Sequence, residues 1–356
     1  MSSKVYFSRI KKPSKENVRK AVAEVMDKAR WYSYLSKSRP IFVKINGMSD
    51  TLVPSQNTNP WVVEAVLQQI KARFPKRKLA MGDADLATTK QLDKAAELWG
   101  FKRLAKKYGA RFVNLSKEKT VKVRINGFVF KELDIPKIVM ESDVITVPVM
   151  KAHCITKLTA SLKNQWGCVP RFRHQYHLVA DKAIADINKI LPVKFAVVDG
   201  TISMEENGPK TGIPKVCNVV FASNDRVAVD AAVSKYMGFR KGEVAHIGYS
   251  EKAGIGRADF QIIGDGFKVN PFIKPELDKH VIFKWEFKIR KSPLAPIFFK
   301  TKLFDLMAWG VTQYNTTYWY NKKGKKYLKE ICKKTNYCSL YEPLMKRKMP
   351  KFSYRF

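Results

Sequence analysis

The chain has 356 residues, enough for one large or two modest domains, and 67 Lys and Arg against 31 Asp and Glu give a formal net charge of +36. Its 45% hydrophobic and 12% aromatic content excludes a disordered polymer, and its 18 Gly and 17 Pro, which follow no period, exclude a collagen-like design. So basic a surface attracts anions, which leaves nucleic acids, anionic membranes and phosphorylated or carboxylate small molecules as candidate partners.

Strand-like and helix-like runs alternate along residues 1–266, which predicts an α/β fold with a mostly parallel sheet flanked by helices. The expected strands are 41–45, 78–81, 111–115, 144–149, 195–198, 216–222 and 260–263. The expected helices are 14–35, one that opens at Asn59-Pro60, 89–107, 157–164, 178–190 and 225–237. Between residues 121 and 133, Asn126-Gly127 separates two apolar runs and predicts an inserted β-hairpin with a two-residue turn.

The composition changes from residue 267 onward. Residues 267–356 hold 21 Lys and Arg against 6 Asp and Glu, a net charge of +15, and many aromatic residues. We expect a basic, partly helical C-terminal extension appended to a core of residues 1–266. Three interpretations stay open: RNA binding through stacked bases and phosphate contacts, attachment to an anionic membrane surface, or helices that pack on the core. Lys300, Lys302 and Asp305 interrupt the apolar stretch 293–320 too often for a membrane span.

The cysteines are widely spaced and form no CxxC pair: Cys154, Cys168, Cys217, Cys332 and Cys338. They are too few and too scattered for a disulfide framework, a zinc ribbon or a ferredoxin-type segment, so we expect no intrinsic iron–sulfur cluster. Residues 1–30 contain lysines throughout and no apolar block of signal-peptide length, so we expect a cytoplasmic protein.

Polar residues follow four of the predicted strands, where ligands bind in open parallel sheets. Lys44 and Asn46 lie at the end of the first of these strands, and Asp83 follows the second. Lys151 and His153 follow the third, and Asp199 follows the fourth. They predict an anion-binding crevice at one edge of the sheet. The alternative is that exposed strand ends are simply polar.

Further candidates follow His153. Thr156, Thr159 and Lys163 stand at 0, +3 and +7, the spacing of one helix face, and Asn164 lies beside them. Two hydroxyls and an ammonium at such a face are suited to a phosphate or a carboxylate, although threonine hydroxyls also bond back to their own helix. His153 is the predicted proton-transfer residue, because imidazole titrates near neutral pH and Lys151 favours its neutral, basic form.

The residues that could bind a metal ion form the least specific pattern in the sequence. Asp199 and Glu205 lie in or beside an acidic loop that could bind Mg²⁺ together with a phosphate, or could pair with neighbouring lysines. His174 and His177 stand three residues apart, but no further histidine lies close in the sequence and the surrounding arginines repel cations.

The stretch 144–170, VITVPVMKAHCITKLTASLKNQWGCVP, resembles the family named domain of unknown function 362, or DUF362. The family pattern has an aspartate before an apolar strand, a proline, Lys-x-His, a threonine and Lys-Asn-x-x-Gly. The matching residues here are Asp143, Pro148, Lys151, His153, Thr159, Lys163, Asn164 and Gly167. Further matches include Lys44, Asn46, Asp83, Asp186, Asp199, Glu205, Asp225 and Asp230, so the resemblance covers about residues 40 to 265.

The sequence departs from the family in two ways. Ile45 and Glu206 stand where the family often has proline and glycine. Many members also carry a ferredoxin-like cysteine segment, which implies redox-linked chemistry, and this chain lacks that segment. Any iron–sulfur role here would therefore need a partner protein.

These residues predict an enzyme-like protein that binds an anionic carboxylate or phosphate. The expected catalytic residues are His153, Lys151 and Asp199. The expected binding residues are Lys44, Asn46, Asp83, Thr156, Thr159, Lys163, Asn164 and Glu205.

Overall fold

The structure, a computed structural model, describes residues 2–86, 91–169, 172–276, 281–299, 301 and 303–347. Its strands are β1 (Ser3–Arg9), β2 (Ile41–Ile45), β3 (Leu79–Asp83), β4 (Arg111–Asn114), β5 (Thr120–Arg124), β6 (Glu132–Pro136), β7 (Asp143–Val147), β8 (Val149–His153), β9 (Lys157–Thr159), β10 (Val193–Glu205), β11 (Ile213–Ser223) and β12 (Phe260–Ile263).

The helices surround these strands. They are α1 (Lys15–Lys28), α2 (Pro60–Arg73), α3 (Leu92–Leu98), α4 (Phe101–Lys107), α5 (Lys137–Met140), α6 (Ser161–Asn164), α7 (Ala180–Ile190), α8 (Arg226–Tyr236), α9 (Ala245–Lys252), α10 (Val281–Arg290), α11 (Ala295–Phe299), α12 (Leu303–Gln313), α13 (Lys325–Lys334) and α14 (Cys338–Met345). A π-helix, Tyr314–Gly324, joins α12 to α13.

One mixed sheet forms the centre, in the order β12-β1-β11-β10-β7-β2-β3-β4. From β10 to β4 each strand runs parallel to its neighbour, whereas β11 is antiparallel to both β10 and β1. Beyond Pro148 the chain leaves β7 and continues as β8, which pairs with β10 and forms a hairpin with β9. The predicted α/β fold with a mostly parallel sheet is confirmed.

Helices cover both faces of this sheet. The apolar side chains of α1, α2 and α4 form one layer with the strands, and those of α6 to α9 form the other. Every residue of β2 and β7 is buried, so these strands lie between two helical layers. This explains why their sequences are continuous apolar runs with little alternation.

Two predicted helix starts are confirmed by their caps. Ser14 Oγ accepts a hydrogen bond from Asn17 N at 3.1 Å, and Asn59 Oδ1 accepts one from Trp61 N at 2.9 Å. Pro60 occupies the first turn of α2, where its missing N–H costs nothing. The strong local signals of the sequence therefore place the helices that flank β2.

Other boundaries differ from the prediction. The helix from Ser14 ends at Lys28, because Arg30 adopts a left-handed conformation with φ of 50°. The helix expected at 89–107 is divided into α3 and α4 by Gly100, whose φ is 75°; its first two residues lie outside the described part of the chain. The strand β1 is absent from the predicted elements, because it is flanked by charged residues and pairs only with the distant β11 and β12.

The predicted hairpin exists as β5 and β6, but the predicted two-residue turn is wrong. The register leaves residues 125–131 as the connection, with Asn126 and Gly127 inside it. The buried carboxylate of Asp186 in α7 accepts hydrogen bonds from the backbone N–H groups of residues 128–130, at 2.7, 2.7 and 3.0 Å. Three charge-assisted bonds outweigh the local preference of Asn-Gly for a tight turn.

The C-terminal segment packs on the core and is largely helical in its described part. Leu328 and Ile331 of α13, Tyr337 just before α14 and Leu340 of α14 enter the same apolar layer as α1 and α2. No helix of the described residues is long and apolar enough to cross a membrane. The division into a core of 1–266 and an extension stays a prediction.

We expect Asp186→Ala to lower the free energy of unfolding by about 3 kcal/mol, because it leaves three N–H groups of the 125–131 loop without their charged acceptor. Urea denaturation followed by circular dichroism measures this change. Asp134→Ala, at an exposed position on β6, is the matched control and should change stability by less than about 0.5 kcal/mol. Equal effects of the two substitutions would contradict this role of Asp186.

Candidate functional site

A cavity of about 470 Å³ lies at the carboxyl ends of β2, β3 and β8. Eight of the predicted binding and catalytic residues line it: Lys44, Asn46, Asp83, Lys151, His153, Thr159, Lys163 and Asn164. Their convergence follows from the topology, since parallel strands deliver their carboxyl ends to one edge of the sheet. A wider depression of about 600 Å³, between α8, α9 and β12, contains none of the predicted residues.

A buried ion pair forms one wall of the cavity. Lys44 Nζ lies 2.6 Å from Asp83 Oδ1 and also donates to the carbonyl of Ile45 at 2.9 Å. Asp83 further accepts the backbone N–H groups of Gly47 and Ala84, both at 2.8 Å. With both charges matched and hydrogen-bonded, the pair fixes the ends of β2 and β3 relative to each other.

Lys151 is fully buried at the centre of the site. Its Nζ donates to Asn46 Oδ1 at 2.8 Å and to the carbonyl of Gln56 at 2.5 Å, and both of these acceptors are neutral. Burial lowers the pKa of Lys151 to about 7, against an opposing attraction from Asp83. The amine therefore titrates near neutral pH, which an exposed lysine does not do.

The histidine of the site is held as a neutral ring. His153 Nδ1 accepts hydrogen bonds from the backbone N–H groups of Ile155 and Thr156, at 3.1 and 3.4 Å. Burial, and next the charge of Lys163, lower the pKa of His153 well below its usual value. With Nδ1 occupied as an acceptor, the single ring proton resides on Nε2, so the free side of the ring is a hydrogen-bond donor.

Two further lysines line the same end of the cavity. Lys163 Nζ lies 5.7 Å above the ring of Trp166, and Lys210 is buried where the 206–212 loop approaches. Burial lowers the pKa of Lys210, although Asp50 opposes this. Gln56 connects this loop to Lys151, because its Nε2 donates to the carbonyl of Lys210 at 2.7 Å. The charged end of the cavity therefore holds several amines.

Two buried polar atoms in the cavity lining have no hydrogen-bond partner within the described part of the chain. They are Thr159 Oγ1, opposite Lys151 in the β8–β9 hairpin, and Asn164 Oδ1. The amide nitrogen of Asn164 is engaged, since it donates to the carbonyl of Lys44 at 3.0 Å and to Thr146 Oγ1 at 2.9 Å. Buried polar atoms are usually satisfied, so these two are suited to a polar ligand or an ordered water.

The other wall of the cavity comes from the C-terminal helices. It contains Trp285, Glu286 and Ile289 of α10, Phe304, Met307, Ala308 and Val311 of α12, and Asn315 of the π-helix. Glu286 Oε1 lies 3.4 Å from His177 Nδ1 and 2.8 Å from Arg290 Nη2. The sequence analysis missed Lys210 and this wall, and it considered His177 only as a metal ligand, because no spacing in the sequence connects residues so far apart.

Three predicted residues, Asp199, Glu205 and Thr156, lie outside the cavity lining. Asp199 does not end a strand, because β10 continues to Glu205, and its carboxylate accepts the N–H groups of Asn59 and Thr201 at 2.7 and 2.9 Å. Burial raises the pKa of Asp199, and its side chain does not line the cavity. Glu205 pairs with Lys215 at 3.1 Å, also outside the lining.

The predicted helix face of residues 156–163 is wrong. Residues 157–159 form β9, and a helix begins only at Ser161. Pairing of Lys151 with Thr159 and of His153 with Lys157 outweighs the helical spacing. Thr156 lies in the turn, where its Oγ1 donates to the carbonyl of Leu158 at 3.2 Å, outside the cavity lining.

The described residues contain no group of three or more His, Cys, Asp or Glu side chains that could hold a metal ion. Asp199 and Glu205, expected as Mg²⁺ ligands, are each engaged by other protein groups. Of the histidines considered, His177 is bound to Glu286, and the side chain of His174 lies outside the described part of the chain.

Comparison with known proteins identifies relatives. The family model described as Domain of unknown function (DUF362) matches residues 41–235, more than half of the chain. A thylakoid-associated protein from Synechocystis sp. is 27% identical over 135 residues, which cover 35% of this chain and 42% of that protein. The chain therefore spans less than half the length of this curated relative.

Two solved structures are similar at low identity. The lactate racemase apoprotein from Thermoanaerobacterium thermosaccharolyticum is 11% identical with a TM-score of 0.46, over 68% of this chain and 58% of that chain. A protein from Thermotoga maritima is 12% identical with a TM-score of 0.36, over 60% of this chain and 56% of that chain. The chain thus covers less than two thirds of either structure.

We expect Gly167→Ala to disrupt the ion pair, because a Cβ atom at this position would lie 2.5 Å from Asp83 Oδ1 and 2.9 Å from Lys44 Nζ. The free energy of unfolding should fall by about 2–4 kcal/mol in urea denaturation, the range for a disrupted buried pair. The control is Gly248→Ala in α9, where nothing lies within 4 Å and stability should rise slightly. If Gly167→Ala left the free energy of unfolding unchanged, the Lys44–Asp83 pair would not depend on the close approach of a glycine at position 167.

Proposed function

Since the chain belongs to the DUF362 family, whose name assigns no reaction, we propose its function from the cavity: an enzyme that binds a small carboxylate or phosphate and transfers a proton through Lys151. The observation that carries the proposal is the state of Lys151, a buried amine in a cationic cavity with a pKa lowered to about 7. Amines perturbed in this way are typical of catalytic sites.

The charge balance of the cavity supports an anionic ligand. Asp83 pairs with Lys44, and Glu286 pairs with Arg290, so these carboxylates are already matched. Among the described residues, no carboxylate lies within 4 Å of the Nζ atoms of Lys151 or Lys210. A bound carboxylate or phosphate would supply the negative charge that these buried amines lack.

Lys151 is suited to accept a proton. A neutral amine has two N–H groups and one lone pair, and Asn46 Oδ1 and the Gln56 carbonyl engage two N–H groups. The third polar contact of Nζ, to Met48 Sδ at 3.8 Å, is a weak one, so the lone pair remains for a proton of the ligand. Because a bound anion stabilises the ammonium, ligand binding would strengthen Lys151 as a base.

His153 has the opposite role in this proposal. The sequence predicts a basic imidazole, but the two backbone N–H groups on Nδ1 leave Nε2 as a donor. A neutral Nε2–H in a water-poor site stabilises negative charge that develops on an oxygen of the ligand. We therefore assign proton abstraction to Lys151 and charge stabilisation to His153.

A catalytic role of Asp199 is disfavoured by its hydrogen bonds within the fold. Electron transfer with an iron–sulfur partner, binding of RNA through residues 267–356 and a cytoplasmic location stay predictions. The cavity supports the anion-binding proposal most directly.

We expect inorganic phosphate or acetate to bind with uptake of up to one proton at pH 8, where Lys151, with a pKa of about 7, is mostly neutral. Titration calorimetry in buffers of different ionisation enthalpy measures this uptake. Lys151→Met should abolish the uptake and weaken binding about 10- to 100-fold. Lys122→Met, at an exposed lysine of β5, is the control and should change neither.

Turnover is measured separately, with the same wild-type and Lys151→Met proteins. A panel of carboxylates and phosphate monoesters is incubated in D₂O, and deuterium at carbon is detected by mass spectrometry. Wild-type protein should label at least one compound, with a rate that rises with pH through about 7, and Lys151→Met should label none. Phosphate binding without any labelling would reduce the proposal to an anion-binding protein, and absence of binding would reject it.

A further inference from the structure

The cavity has two chemically different ends. At the strand ends it is lined by the amines and by His153. The part of the lining that comes from α10 and α12 is mostly apolar, with Ile289, Met307, Ala308 and Val311 in addition to Glu286. Ile155 and Leu86 are further apolar residues of the lining. A ligand that contacts only the amines would leave these apolar walls without partners.

The size of the cavity also exceeds what a small anion needs. A volume of about 470 Å³ falls in the range that accommodates a whole organic ligand. Water beside the apolar walls is unfavourable, because few polar groups there can hold it. An apolar chain that displaces this water gains free energy with every methylene that it buries.

We propose that the ligand is an anionic amphiphile, with a carboxylate or phosphate head at Lys151 and an apolar chain between the strand ends and helices α10 and α12. This inference rests on the proposed anion-binding function. It adds the second half of the ligand, which the charged residues alone do not specify. The apolar wall sets the preference for chain length.

The test compares acetate, octanoate and laurate by titration calorimetry on the full chain. Affinity should rise about fourfold for each methylene that enters the cavity and should level off when the apolar end is full. Ala308→Phe should weaken laurate binding about tenfold or more and leave acetate binding unchanged, because the added ring occupies space at the apolar end. Ala308→Ser is the size-matched control and should retain most of the laurate affinity.

Two results would overturn this inference. Equal affinities of acetate, octanoate and laurate would leave the anion site intact and reject the apolar chain. Binding of none of the three, and of no phosphate, would reject the anion site as well. The chain-length series uses wild-type protein, so the test does not depend on the folding of Ala308→Phe.

A second feature of the C-terminal segment is a set of exposed apolar side chains. Among the described residues from 285 to 318, seven large apolar side chains are exposed, and we call them the docking face: Trp285, Leu294, Ile297, Leu306, Trp309, Tyr314 and Tyr318. Trp285 and Leu306 are 59% and 62% exposed, while their helices also present apolar residues to the cavity. A helix that is apolar on two opposite sides is normally covered on both of them, by other parts of a protein or by lipid.

The surroundings of these side chains indicate what covers them. Lys288 Nζ lies 5.0 Å from the ring centre of Trp285, and Lys322 Nζ lies 4.6 Å from that of Tyr318. Aromatic rings next to lysines are typical of the interface between anionic lipid head groups and acyl chains. The aliphatic members of the docking face cannot stack on bases, which favours a lipid surface over RNA.

We infer that the docking face binds an anionic lipid membrane. Trp285 belongs both to this face and to the cavity lining, so the cavity approaches the surface where the lipid would lie. The membrane association rests on the exposed side chains and their lysines, and it stands independently of the ligand that the cavity takes.

Flotation with vesicles of 70% phosphatidylcholine and 30% phosphatidylglycerol tests this inference. Wild-type protein should float with these vesicles, and pure phosphatidylcholine or high salt should weaken the binding. Leu306→Gln/Trp309→Gln should lower the partition coefficient at least tenfold, because it removes two large apolar contacts. Val269→Gln/Ile273→Gln removes comparably exposed apolar side chains outside the docking face and should float like wild type.

The membrane inference would be overturned if wild-type protein failed to float with the anionic vesicles. It would also be overturned if both double variants floated equally well. The same three proteins, wild type and the two double variants, are tested by filter binding to single-stranded RNA. RNA binding that Leu306→Gln/Trp309→Gln removes, without any flotation, would assign the docking face to nucleic acid instead.

Discussion

Buried aspartates that accept backbone hydrogen bonds are the constraint on which this structure depends. Asp83, Asp186, Asp199 and Asp230 each accept at least two backbone N–H groups. A buried carboxylate without such donors would be too costly for the fold to retain, so irregular segments must bring their N–H groups to these positions. The loops that shape the cavity are therefore fixed by acids that take little direct part in lining it.

This use of the acids leaves the amines to the cavity. Asp83 lines the cavity but is matched by Lys44, whereas Lys151 contacts only neutral atoms. The residues that resemble the DUF362 pattern thus divide into two groups with different physical roles. Most of the aspartates hold backbone segments together, whereas the lysines and His153 line the cavity.

The sequence predicted one end of the cavity because topology alone brings it together: Lys44, Asp83 and Lys151 follow strands of one sheet, and the apolar runs reveal those strands. It failed where long-range contacts override local preference. The pairing of residues 157–159 replaced a helix, and β10 continued past Asp199 because β11 pairs with it from Ala196 to Glu205. Lys210 and the wall from α10 and α12 left no local signal, since only tertiary packing brings them to the strand ends.

The origin of the two walls has a consequence for how such proteins diverge. The amine-bearing end lies within residues 41–235, which match the family model, whereas α10 and α12 lie outside that stretch. Substitutions in these helices can therefore reshape the wall that they contribute without moving the strand ends. The shape of that wall can change through evolution while the ends of β2, β3 and β8, which carry Lys44, Asp83 and Lys151, stay in place.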